Sequence, residues 1–380
     1  MKSYLSIEAL LYMEIKNRTI STSPWRGVSP KDWHNWEWQY RNRVRTIRQL
    51  AVVLKKTPAA LKKYGAVAKV YPFGITPYYL SLMDMADEND PLRRQSLPDE
   101  RETDFSLGGV ADPLEEERDM PVSGLVHRYS DRCVAIVTNT CATYCRHCNR
   151  KRRWRKGGIA DNTGYLERMV DYVAKTKQIR EVIVSGGDPL TMKDGILDWF
   201  LGSLRSISHV DVLRIGSRMP VVMPMKITHE LCKMLRKHRP IWFNTQFNHP
   251  NEITPEAAHA CEMILEAGIP VSNQTVLLRG INDNYEILRE LFYGLQRISV
   301  RPYYLFQCDP VKGADHFRTD VRRGIKIMKR MWGNISGLCV PQYIFDLPGG
   351  KGKCPLYPGS PFRAIATGQK DIFDSEGKVN

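Results

Sequence analysis

No apolar run in this chain is long enough to cross a bilayer, and the N-terminal stretch is interrupted by Glu8, Glu14 and Lys16. Neither a membrane span nor a secretory signal is therefore expected. No internal repeat or low-complexity segment stands out, which sets aside a repeat array. A cysteine pairing pattern is also missing: outside one cluster, Cys133, Cys232, Cys261, Cys308, Cys339 and Cys354 are scattered along the chain. Scattered thiols point to the reducing cytoplasm and away from a disulfide scaffold. Acidic residues are in the minority, 41 against 56 Lys and Arg, for a net charge of +15. That balance raises the question of nucleic acid, but no recognition helix, RNA-binding sheet motif or zinc finger accompanies it. The densest basic run comprises Arg146, Arg150, Lys151, Arg152, Arg153, Arg155 and Lys156. Its default reading is a solvated or polyanion-binding face; the rival is service to small anionic groups inside an active site. A basic nucleic-acid-binding protein ranks last among the functions weighed here.

What is present is an ordinary globular composition, 42% hydrophobic and 26% charged over 380 residues. That length suits one large domain or two modest ones. Within it, Cys141-Ala-Thr-Tyr-Cys145-Arg-His-Cys148 places three thiols at intervals of four and three residues, just after the apolar run Val134-Ala-Ile-Val137. Three close thiolates suit a 4Fe–4S cluster, whose fourth iron is then left open for chemistry. The rival is a zinc knuckle. Zinc wants a fourth ligand, and His147 beside Cys148 is poorly placed to share one ion with it.

Residues 1–104 read as mostly helical, with Val44, Ile47, Leu50 and Val53 near helical spacing. The polar stretch 105–131, with Asp112-Pro-Leu-Glu-Glu and Pro121-Val-Ser-Gly124, reads as a connecting arm without a packed element. From 132 to 345, short apolar runs alternate with amphipathic helices. Candidate strands are 134–138, 181–185, 211–215, 241–245, 270–274 and 301–305; helices include 163–176 and 254–267. Strand–helix units in series imply an α/β fold with a parallel sheet and right-handed crossovers. In such folds chemistry collects beyond the C-terminal strand ends. The polar residues obey that rule: Cys141 to Cys148, Gly186-Gly187-Asp188, Ser217 and Arg218, Asn244 to Asn248, Gln274 and Asp309 each follow or end a strand.

These residues resemble the lysine 2,3-aminomutase family of the radical S-adenosylmethionine (SAM) superfamily. The superfamily signature CxxxCxxC is matched by Cys141, Cys145 and Cys148, and the family form CxxYCRHCxRxR by Tyr144, Arg146, His147, Arg150 and Arg152. Further family-like stretches include Ser185-Gly-Gly-Asp188, Arg214-Ile-Gly-Ser-Arg218, His316-Phe-Arg-Thr319 and Asp346-Leu-Pro-Gly-Gly350. The resemblance implies a partial (β/α)6 TIM-type barrel with an N-terminal helical region. It also implies a cluster chelated by SAM, a 5′-deoxyadenosyl radical that takes a hydrogen from the substrate β-carbon, and pyridoxal 5′-phosphate carrying the migrating amine. The cofactors do the hard chemistry and the protein positions them. Implied partners are an amino-acid substrate and an electron donor such as flavodoxin or ferredoxin.

By the same resemblance, Lys353 matches the lysine that bonds pyridoxal phosphate, at the family's seven-residue distance from Asp346; the segment 346–380 carries it. Lys351 stands where relatives usually have glycine. Asp309 and Asp346 match the carboxylates that hold the distal ammonium of lysine. A buried acidic pair is costly without a cation between its members. Arg150 matches the arginine on the substrate α-carboxylate, a contact suited to its planar fork. Arg128, Arg132 and Gln274 match residues around pyridoxal phosphate. Gly186, Gly187 and Asp188 match the loop on the methionyl amino group, with Ser217, Arg218 and Asn248 as further residues around SAM. Trp33, Trp36 and Trp38 read as packing. Gln246 departs from the histidine of many relatives. The cysteine-rich extension that binds zinc in better-known members does not follow Lys353, so no structural zinc is expected and their oligomeric state does not carry over, though a homo-oligomer stays open. Conversion of L-lysine to L-β-lysine ranks first; the same chemistry on arginine, or on a protein-bound lysine of elongation factor P, ranks next.

Overall fold

The computed structural model describes residues 25–155 and 163–356. Lys156 of the basic run, the chain through residue 24 and the chain beyond residue 356 lie outside the described residues.

The strands form one sheet in chain order: β1 Leu125–Tyr129, β2 Arg132–Ile136, β3 Glu181–Ser185, β4 Val212–Gly216, β5 Ile241–Thr245, β6 Val271–Leu277, β7 Arg301–Gln307, β8 Gln342–Asp346 and β9 Lys353–Pro355. Neighbours from β2 to β8 are parallel, while β1 and β9 add antiparallel edges. Each parallel step is bridged by a helix: α1 Thr163–Lys175, α2 Asp194–Arg205, α3 His229–Arg236, α4 Pro255–Glu266, α5 Tyr285–Arg297 and α6 Val321–Met331. Serial crossovers of one hand curl such a sheet toward a barrel. The curl brings both edges to one cavity, since Arg128 of β1 and Lys353 of β9 line it together. The fold is a partial TIM-type barrel, preceded by short helices between Pro30 and Ser96.

The helices form for the reasons the sequence supplies. In α1, Tyr165, Leu166, Met169 and Val173 make one buried stripe. Helix α4 opens with the Thr254 hydroxyl accepting from the Ala257 amide, carries Pro255 in its first turn and meets Gly268 at φ +74 just beyond its end. The two-residue period of the strands sorts their side chains. Val182, Val184, Leu213, Ile215, Phe243 and Leu305 are fully buried beneath the helices, whereas Ile183, Arg214, Tyr304 and Phe306 face the cavity. Each fully buried aliphatic or aromatic chain contributes about 1.5–3 kcal/mol, so the outer face stabilises the barrel and the inner face is free to carry chemistry.

All six expected strands lie within two residues of their expected starts, and β6 and β7 run longer. Strand β2 begins at Arg132 rather than 134, in register with Glu181 of β3, and ends at Ile136, beyond which the Thr138 carbonyl accepts from the Gly187 amide at 2.6 Å. The arm from 105 to 131 is not free of packed elements, since β1 lies within it and pairs with β2. Trp33 packs against Trp25 and Trp38, with ring centroids 6.4 and 6.2 Å apart.

Candidate active site

The cysteine loop leaves the end of β2 and is tied down along its backbone. The Arg43 guanidinium donates to the Cys141 carbonyl at 2.6 Å, the Tyr144 amide to Gly74 at 3.0 Å and the Arg146 amide to Gln95 at 2.7 Å. These ties hold all three thiols against one cavity of about 660 Å³, within the range of small-molecule sites. Burial pushes the Cys148 thiol up to about 11, and burial, then Asp188 and the neighbouring thiols, raise Cys141 well above its ordinary value. Thiols so placed ionise only beside a strong positive charge, which an iron cluster supplies. Among the described residues no three His, Cys, Asp or Glu side chains converge as they would on a single ion. Thiols spread around a polynuclear cluster need no common point.

The second wall follows β3. At Gly186 and Gly187 an added Cβ would lie 2.4 Å from the Thr138 carbonyl and 2.3 Å from the Thr140 carbonyl, so only glycine lets this loop lie against the cysteine loop. Asp188 is buried and pushed up to about 6 by that burial, opposed by hydrogen bonds from Ser217 and the Arg218 amide. The Ser217 hydroxyl donates to it at 2.8 Å and the Arg218 amide at 2.8 Å. Arg218 then reaches the Cys145 sulfur at 2.8 Å and is anchored behind by Glu252 at 2.5 Å and Gln95 at 2.9 Å. Asn248 stands behind the wall, bonding Gln95 at 2.8 Å and the Val276 amide at 2.9 Å. The Gln246 amide lies 3.0 Å from His147 Nε2.

The charged residues singled out by resemblance line the same cavity. Asp309 is pushed up to about 7, first by burial and then by Asp346, and accepts from the Asn149 amide at 3.0 Å. Asp346 accepts from Lys353 Nζ at 2.7 and 2.8 Å, and that ammonium also lies 4.6 Å from the Phe306 ring centroid. Lys351 and Lys353 are both exposed, but only Lys353 is part of the cavity wall. Arg150 is gripped by Glu116 through Nε at 2.9 Å and Nη2 at 2.7 Å. Arg128 is held by Asp119 at 2.7 Å. Arg132 covers the Tyr129 ring at 3.9 Å and donates to Asp131 at 2.6 Å. Arg128, Arg132, Gln274 and Ser217 all line the cavity.

The basic run is not a solvated face. Arg146, Lys151 and Arg153 are buried, and Arg150 and Arg152 are ion-paired with Glu116. Most of the charge points inward; of the described run only Arg155 is exposed. Sequence reasoning also missed Glu116, the Arg214–Glu181 pair and the stacked Tyr303 and Tyr304 rings, 3.7 Å apart at their centroids. The available signal for Glu116 was an acidic stretch, 112–119, set against a basic one of matching density.

A thiol loop at the end of the first parallel strand, facing a cavity that a partial barrel encloses, defines a radical SAM enzyme, and the pattern described as the radical SAM superfamily matches residues 135–291. Curated relatives narrow the class. The chain is 46% identical over 336 residues to the L-lysine 2,3-aminomutase of Clostridium subterminale, covering 88% of this chain and 80% of that protein. It is 44% identical over 332 residues to the L-lysine 2,3-aminomutase of Fusobacterium nucleatum, covering 87% and 78%. The glutamate 2,3-aminomutase of Clostridioides difficile is 42% identical over 328 residues, covering 86% and 78%. The chain belongs to the lysine 2,3-aminomutase family of radical SAM isomerases, so a 4Fe–4S cluster and SAM are its cofactors. The thiols and the close-packed glycine loop fit these groups. Identity to a lysine and a glutamate enzyme is similar, so the substrate must be argued from the site.

Proposed function

We propose that the enzyme moves the α-amino group of L-lysine to the β-carbon, yielding L-β-lysine, with pyridoxal 5′-phosphate as amine carrier. The observation that carries this reading is the acidic corner. Asp346 holds the Lys353 ammonium, and Asp309 lies near enough to be raised by it. If Lys353 held the pyridoxal aldehyde, its ammonium would no longer neutralise Asp346, and the two neighbouring carboxylates would lack a cation, an arrangement that costs several kcal/mol per buried ion. The side-chain ammonium of lysine restores the balance; the carboxylate of glutamate would worsen it. Arg150 offers a fork for the α-carboxylate, and Arg128, Arg132 and Gln274 supply polar contacts for the phosphate-bearing cofactor.

When bound, the cluster and SAM supply the radical and pyridoxal phosphate carries the nitrogen; this chain binds, orients and excludes water. Lys353 is favoured over Lys351 because it faces the cavity. A low-potential donor of the flavodoxin or ferredoxin kind would supply the electron. All nine cysteines are free, which fits the cytoplasm, and no helix among the described residues is long and apolar enough to cross a membrane. The test is an isomerisation assay on anaerobically reduced enzyme offered lysine, arginine or glutamate. β-Lysine is the expected product; conversion of glutamate but not lysine would overturn the reading.

A further inference from the structure

Glu116 lies in the arm ahead of β1, is buried, and binds a residue that faces the cavity. Its carboxylate takes one edge of the Arg150 guanidinium, Nε at 2.9 Å and Nη2 at 2.7 Å. The Arg150 Nη1 group has only a long contact, 3.5 Å to the Ser185 hydroxyl. A guanidinium has two edges that can grip a carboxylate side by side. Glu116 occupies the Nε edge, and the end-on edge, Nη1 with the second Nη2 hydrogen, is left toward the cavity. Glu116 is itself fixed from behind, since Arg152 donates to it at 3.1 Å and to Asp112 at 2.9 Å.

The arm carrying Glu116 also touches the turn that leads to Lys353. The Gly349 amide donates to the Pro113 carbonyl at 3.3 Å, and Arg118 donates to the Gly349 carbonyl at 2.9 Å. At Gly350, φ +71, a Cβ would lie 2.7 Å from the Leu114 carbonyl. One short strap thus sets the position of Arg150 and abuts the Lys353 turn, two points that must agree if both grip one amino acid.

We propose that Glu116 is a positioning residue: it holds Arg150 by one edge and so aims the other edge at the α-carboxylate of the substrate. This rests on Arg150 being the carboxylate site. Because Glu116 acts through Arg150, its loss matters only for ligands that bring a carboxylate there.

The test is equilibrium binding, by calorimetry, of L-lysine and L-lysinamide to enzyme loaded with cluster, SAM and pyridoxal phosphate, without reductant. Wild type is expected to hold lysine more tightly than lysinamide. Glu116→Gln is expected to weaken lysine roughly tenfold, the scale of one charge-assisted hydrogen bond, and to leave lysinamide unchanged. Glu116→Asp, which keeps the charge on a shorter stem, gives the same selective loss in smaller degree and serves if Glu116→Gln fails to fold. Equal weakening of both ligands, or no change in either, overturns the proposal and leaves Glu116 a brace for the arm. A wild-type enzyme that holds lysine and lysinamide alike overturns the assignment of Arg150 itself, and this role with it.

Discussion

Glu102 and Glu116 each gather two cations from the basic run that begins inside the cysteine loop, yet they build opposite things. Glu102 binds Arg146 and Lys151 with side chains exposed by 0%, 0% and 1%. Every Lys151 donor is spent there, on Glu102, the Arg146 carbonyl and the Gly313 carbonyl, and Arg146 also reaches the carbonyls of Pro72 and Tyr71. Glu116 binds Arg150 and Arg152, whose side chains stay 19% and 13% exposed, and leaves Arg150 with capacity toward the cavity. A saturated ion cluster welds the cysteine loop to the helices before it. An unsaturated one presents a cation for use.

Breaking the saturated cluster should cost the most. Glu102→Ala strands two buried cations and is expected to destabilise the fold by about 3–5 kcal/mol, measured by denaturant unfolding, with loss of bound iron and no preference among ligands. If stability is unchanged, the weld is not where the geometry places it.

Acid should separate Glu116 from Asp309 next. Burial works to raise Glu116, but the Arg150 and Arg152 guanidiniums overcome it and hold the carboxyl at about 2. Its folded value lies below its unfolded one, so its contribution is present above about 4.5 and lost as pH falls toward 2; by linkage this is on the order of a few kcal/mol. Asp309, raised to about 7, runs the other way. Its contribution is full below about pH 4 and lost as pH rises through 7. Stability profiles of Glu116→Gln and Asp309→Asn should therefore flatten at opposite ends of the pH range, and flattening at the same end would contradict the assignment.

Specificity sharpens the contrast further. Asp309→Asn is expected to reduce lysine affinity about tenfold, the value of one hydrogen bond to a charged group, while narrowing the preference for lysine over an uncharged analogue such as norleucine. The smallest effect is expected from Arg152→Lys. A lysine cannot bridge Asp112 and Glu116 as the planar fork does, and about 1 kcal/mol or less of stability should be lost in denaturant unfolding.

Much of the barrel was legible because its strands carry apolar residues at a two-residue period and its helices end in recognisable caps. Strands β1, β8 and β9 were not: Arg128 and Lys353 interrupt the two edge strands while serving the cavity face, and His127 of β1 turns to Tyr172 of α1. The thiol loop could be read from spacing alone, because cluster chemistry dictates it. Asp309 stood out by its place after a strand, but its pairing with Asp346 and the choice of Lys353 came only through resemblance: the two aspartates are 37 positions apart, and only the curl of the sheet brings them together. Glu116 lay in a stretch of Asp, Glu and Pro that reads as loop, with its partner 34 residues away. Local pattern does not encode such a pairing.

The account stands or falls on where pyridoxal phosphate is joined to this chain. Borohydride reduction of the anaerobically loaded enzyme, followed by peptide mapping, tests it most directly. The label is expected on Lys353; a label on Lys351, or none on enzyme that holds its iron and sulfide, would contradict it.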